Sequence, residues 1–91
     1  MITSYDIEIA CKNAIIEKVK ETYNEDLTIQ NLHLVWFTKS LTTFKCCIVD
    51  DLKNQRYYEC TYNAIKKELY VDFYQKERNF LVKNLKTKVM R

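Results

Sequence analysis

The sequence predicts an α+β fold: an N-terminal helix packed on a four-stranded antiparallel meander sheet, followed by a C-terminal helix. Three observations carry this reading. Apolar residues recur every fourth position near the start, alternate at every second position through the middle, and return to a spacing of four after residue 80. The 91 residues fit one domain, 1–91, with 76–91 as a basic C-terminal helix or tail.

The first helix covers Ser4 to Tyr23. Ile7, Cys11, Ile15 and Val19 form its apolar stripe, widened by Ala10, Ala14 and Tyr23, while Glu8, Lys12, Glu17, Lys20 and Glu21 fall largely outside it. Thr3 or Ser4 suits the N-cap, and Asn24 suits the stop. From residue 28 the period falls to two. Leu32, Leu34 and Trp36 alternate with His33, Val35 and Phe37, so both faces are apolar, the pattern of a central strand. A turn at 39–42 leads to a second strand with Phe44, Cys46 and Ile48 on one face. Asp50, Asp51, Lys53 and Asn54 then form a polar loop.

Residues 56–62 and 67–74 read as a hairpin. Tyr58, Cys60 and Tyr62 share the inner face with Leu69, Val71 and Phe73, and Tyr57, Glu59 and Thr61 share the outer face with Glu68, Tyr70, Asp72 and Tyr74. The turn at 63–66 is centred on 63–64 or on 64–65, and either register pairs the same faces. Leu81, Leu85 and Val89, with Phe80 beside them, place the closing helix over 76–88.

Composition narrows the function classes. Glycine and proline are both absent, so a turn that needs positive φ must use Asn, Asp or Lys, and phosphate-cradling glycine loops are excluded. Hydrophobic residues at 47% and seven tyrosines argue against disorder. The net charge of +3 is uneven: 76–91 hold six basic residues against one acidic, and the first 75 hold nine against eleven. A basic tail on a mildly acidic body suits contact with nucleic acid or an acidic protein, and equally a solvated helix face. The start of the chain lacks a signal-peptide pattern and no apolar run reaches membrane-spanning length, so a cytoplasmic protein without membrane contact is expected. Cys11, Cys46, Cys47 and Cys60 show neither C-x-x-C spacing nor a disulfide framework and read as reduced core thiols.

No catalytic constellation emerges. His33, the only histidine, could join Cys46, Cys47 or Cys60 in a Cys–His pair or a Cys₃His zinc site. Zinc ligands normally come in closely spaced pairs, however, and Cys46 and Cys47 as strand neighbours face apart. Asp50 with Asp51, or Glu59, Glu68 and Asp72, could hold Mg²⁺ or act as acid and base, but nothing in the pattern desolvates or crowds them. The expectation is no metal, no cofactor and no enzyme chemistry. Tyr57, Glu59, Glu68, Tyr70, Asp72 and Tyr74 would gather into one outer strip, and tyrosine is a favoured interface anchor, so this strip is the candidate partner-binding surface. The alternative is a nucleic-acid-binding module using Lys83, Lys86, Lys88 and Arg91. A third reading is a nucleotide-sequestering protein or small enzyme with a pocket at an oligomer interface.

The middle of the chain also carries a resemblance. The runs Val35-Trp36-Phe37-Thr38-Lys39-Ser40-Leu41, Tyr57-Tyr58-Glu59-Cys60-Thr61-Tyr62-Asn63 and Lys66-Lys67-Glu68-Leu69-Tyr70-Val71-Asp72-Phe73-Tyr74, with Phe44-Lys45 between the first two, resemble a family of short proteins. Those proteins are encoded by phages and prophages of low-GC Gram-positive bacteria and have no assigned function. The similarity spans 28–77. In that family a glycine usually follows the turn asparagine; Ala64 stands there here, which leaves the turn type open. The resemblance implies phage origin, hence the host cytoplasm, and a small accessory role, and it supplies no mechanism; the outer strip adds the expectation of a host or phage protein as partner, inhibited or modulated by binding.

Overall fold

The computed structural model describes residues 3–52, 56–75, 78 and 80–83. Helix α1 runs Ser4–Tyr23 and starts in a reciprocal cap: Asp6 N–H donates to Thr3 Oγ1 at 3.1 Å, and Thr3 N–H donates to Asp6 Oδ2 at 2.8 Å. These bonds hold the Asp6 carboxyl below its ordinary range, the Thr3 backbone amide contributing most. The helix stops at Asn24, whose left-handed backbone (φ 56°) lets its N–H reach the Lys20 carbonyl. Cys11, Ile15 and Val19 are the fully buried side of α1, as their spacing predicts.

Four strands follow: β1 Leu32–Lys39, β2 Thr43–Asp50, β3 Arg56–Asn63 and β4 Glu68–Gln75. They form one antiparallel sheet in the order β1-β2-β3-β4, the expected meander. The helix lies on one face. Leu32, Phe44, Cys46, Ile48, Tyr58 and Cys60 are buried against it, with Leu34, Tyr62, Leu69, Val71 and Phe73 partly buried around them. At about 1.5–3 kcal/mol for each large apolar side chain removed from water, this single layer is the main source of stability.

Two expectations about the strands are corrected. β1 is an edge strand, not a central one. Its apolar residues alternate on both faces because the pairing slips between Leu34 and Trp36, where a β-bulge places Val35 out of register. Leu32 and Leu34 face the helix side with Ile48. Past the bulge Phe37 takes that side, opposite Cys46, and stacks on Phe44 at 5.4 Å, while Trp36 passes to the outer face. The β3–β4 turn also lies further along than predicted. Asn63 pairs with Glu68, so the turn residues are 64–67. This register moves each partner by two relative to the nearer expected one, so the faces pair as predicted. Asn63 Oδ1 accepts the amides of Ile65 and Lys66, and Lys67 takes the positive φ (53°) that glycine would otherwise supply.

The predicted C-terminal helix is not seen among the described residues. Arg78 and residues 80–83 carry no regular secondary structure, and Phe80, Leu81 and Val82 are exposed. Residues 76–77, 79 and 84–91 of that stretch lie outside the described residues, as do Lys53 and Asn54 of the polar loop.

Candidate functional site on the open face of the sheet

With α1 on one face, the other face of the sheet has no helix over it among the described residues. The registers order its side chains in rows. His33, Val49, Tyr57 and Tyr74 form one row; Trp36, Cys47, Glu59 and Asp72 form the next; Thr38, Lys45, Thr61 and Tyr70 form the third. Glu68 ends the face opposite Asn63. All six predicted strip residues therefore share this face.

The face is aromatic and acidic at its centre. Tyr57 and Tyr74 stack in parallel with centroids 4.8 Å apart, as a directly opposed cross-strand pair should. Tyr70 is 56% exposed and Trp36 is 42% exposed. Glu59 and Asp72 are cross-strand partners one row from the tyrosine stack, and Lys45 meets Glu59 at 3.4 Å. The Glu59 charge, followed by lost hydration and Asp72, pushes the Tyr74 phenol above its ordinary value. Tyr74 thus keeps its O–H as a donor across the physiological range. Cys47 is almost covered although it lies on the outer face, and its thiol is pushed up by that burial and then by Glu59.

Trp36, Lys45, Cys47 and Val49, with His33, Thr38 and Thr61, complete this face and were not among the six predicted contact residues. Trp36 was missed because strict alternation puts it on the Leu34 side. An inserted residue leaves no signal in a pattern that is apolar on both faces.

The other candidate chemistries resolve differently. His33 belongs to the outer face, and its Nε2 lies 3.0 Å from Asp51 Oδ2, away from Cys46 and Cys60 on the helix side. Asp50 and Asp51 point apart. Asp50 is buried, accepts the Tyr58 hydroxyl at 2.6 Å and the Leu52 amide at 3.1 Å, while exposed Asp51 accepts from Asn31 Nδ2 at 3.2 Å. His33, then Asn31, holds the Asp51 carboxyl below its ordinary range. Beside this corner, buried Arg56 pairs with Glu25 and lies 4.1 Å over the Tyr23 ring, which closes the polar end of the helix layer. A third cluster was not anticipated. Cys11 of α1 joins Cys46 of β2 and Cys60 of β3, with all three sulfurs within 4.8 Å of one another. Of the alternative basic set, Lys83 is exposed; Lys86, Lys88 and Arg91 lie outside the described residues.

Among the described residues, these features define a small α+β protein with one α-helix against an antiparallel sheet and an exposed aromatic outer face. The chain belongs to a family of unknown function, DUF6275, whose model matches residues 8–84. No curated protein and no solved structure matches it.

Proposed function

We propose that this protein is a phage-type accessory protein that acts by binding, and that the outer sheet face docks on a host or phage protein to inhibit or modulate it in the host cytoplasm. The observation that carries this reading is the exposed patch of Trp36, Tyr57, Tyr70 and Tyr74 around the Glu59–Asp72 pair. Exposed aromatics grouped on one sheet face offer large contact area at little entropic cost. The carboxylates outnumber the one lysine of the face, Lys45, so the complementary partner surface is basic. A nucleic-acid groove on an enzyme is one such surface. The same charges repel phosphate, which disfavours direct nucleic-acid binding here.

The test compares tagged wild type with Tyr70→Ala and Trp36→Ala in capture from lysate of a low-GC Gram-positive host, with and without nuclease. The reading expects a stoichiometric protein that survives nuclease and moderate salt and is lost with either variant, each variant retaining its circular dichroism. Truncation after Glu77 should leave that capture intact. Recovery of nucleic acid alone, or loss on truncation with no effect of Tyr70→Ala, would move the site to Lys83, Lys86, Lys88 and Arg91.

A further inference from the structure

The three-thiol cluster lies on the opposite side of the sheet from the docking face and is independent of it. Each sulfur comes from a different element. Cys46 and Cys60 are direct cross-strand partners on β2 and β3, and Cys11 descends from the middle of the buried helix stripe. All three residues are inaccessible to solvent. Buried cysteines commonly serve as small hydrophobes, and one such residue would need no further account. Three meeting at one point form a preorganised donor set.

We propose that Cys11, Cys46 and Cys60 form a dry three-sulfur site for a soft monovalent metal ion, copper(I). The geometry suits a single shared ion. Metal–thiolate bonds of about 2.3 Å in a trigonal plane place the sulfurs about 4.0 Å apart, inside the 4.8 Å limit that contains the three thiols. The donor set selects the ion. Among the described residues no histidine, carboxylate or fourth cysteine joins the cluster, which leaves the tetrahedral requirement of structural zinc unmet. Magnesium and calcium take oxygen donors, whereas thiolate sulfur favours copper(I), which accepts two or three ligands. Exclusion of water also protects copper(I) from oxidation.

The binding step moves no electrons. Copper(I) leaves a small-thiol carrier. As the two carrier Cu–S bonds break, two Cu–thiolate bonds form, two S–H protons pass to the released carrier thiolates, and the third sulfur, still protonated, lies against the ion as a weak third donor. The single negative charge that remains is no more than one buried thiolate would carry. Access has a visible route. An apolar groove of about 330 Å³, lined by Asp6, Ile7, Ala10, Cys11, Tyr62 and Leu69, leads in between the start of α1 and the hairpin end of the sheet. Small movements of Ile7 and Tyr62, both partly buried at the margin of the core, would open it to Cys11.

The experiment uses the full reduced chain, loaded anaerobically with copper(I) as its glutathione complex and challenged with a chromogenic copper(I) chelator. Native mass spectrometry reads the stoichiometry. Wild type and Cys47→Ser should each retain one copper(I), and Cys46→Ala and Cys60→Ala should lose affinity by at least about 100-fold. Circular dichroism of the metal-free variants reports whether they fold. If one does not, alkylation of loaded wild type in mild urea with peptide mapping replaces it: protection must fall on Cys11, Cys46 and Cys60 and leave Cys47 modified. Copper retention unaffected by the folded variants, protection confined to Cys47, or retention of zinc(II) in place of copper(I) would overturn the proposal.

Discussion

Tyr58 and Asp50 illustrate how one buried pair organises the polar end of the core. Tyr58 is wholly buried, yet its hydroxyl donates to the Asp50 carboxylate at 2.6 Å, so both polar groups are satisfied in an apolar layer. Burial, reinforced by Asp50, pushes the Tyr58 phenol well above its ordinary value. A raised acid contributes stability that is complete below its unfolded pKa of about 10 and is lost as pH rises further. Tyr58→Phe should therefore destabilise by about 1.5–3 kcal/mol in urea unfolding at neutral pH, because the carboxylate loses its hydroxyl donor. In alkaline difference spectra, Tyr58 should be the last tyrosine to ionise and should do so with unfolding. Asp51 has the opposite sign. Its lowered carboxyl contributes stability above the unfolded value of about 3.9 that is lost as pH falls through the lower folded value. The gap in urea midpoint between wild type and Asp51→Asn should be full at neutral pH and should close as the pH falls below about 4. A gap that persists in acid would remove His33 and Asn31 from this account.

At the scale of elements, the Val35 bulge decides which aromatic residues reach solvent. Deleting one residue from a strand normally turns every later side chain to the wrong face. Val35 is the exception in β1. Without it Trp36 still follows Leu34 into the place opposite Cys47, and Phe37 still meets Cys46, so the register becomes regular with no face reversed. Deletion of Val35 should cost less than about 1 kcal/mol, in the range of surface changes, and leave Trp36 emission solvent-like. Deletion of Lys45 from β2 should unfold the protein, because Phe44 or Cys46 must then leave the core. Equal damage from the two deletions would show that the bulge is needed for more than register. The hairpin shows the converse economy of sequence: with no glycine available, Asn24 and Lys67 occupy the left-handed backbone positions that end α1 and close the β3–β4 turn.

For the molecule as a whole, one layer of core supports a sheet whose other face, among the described residues, carries exposed aromatic side chains. The outer aromatics therefore have two separable roles, cross-strand support and contact. Replacing both Tyr57 and Tyr74 by Thr removes their stack but keeps strand propensity, and should lower stability by about 0.5–1.5 kcal/mol while abolishing partner capture. Thermal unfolding and the capture assay read the two effects separately. A large loss of stability with capture intact would make the stack purely structural. Trp36, the chain's single tryptophan, lies on this face and makes intrinsic fluorescence a direct reporter of docking.

Periodicity was enough for α1 and the four-strand meander, and residue type narrowed the N-cap to Thr3 or Ser4 and placed the stop at Asn24. The stripe Cys11, Ile15 and Val19 and the alternation of Tyr58, Cys60, Leu69, Val71 and Phe73 encode which side is buried, and burial is a local pattern wherever the period is regular. The six residues Tyr57, Glu59, Glu68, Tyr70, Asp72 and Tyr74 were legible as one face for the same reason: a two-residue shift in hairpin register preserves sides. Tertiary structure decided the rest. A bulge is set by how β1 fits its neighbour and not by its own composition, so the side taken by Trp36 was hidden. The meeting of Cys11 with Cys46 and Cys60 was hidden too, because it spans a helix and two strands and depends on how deeply, and at which turn, α1 settles onto the sheet.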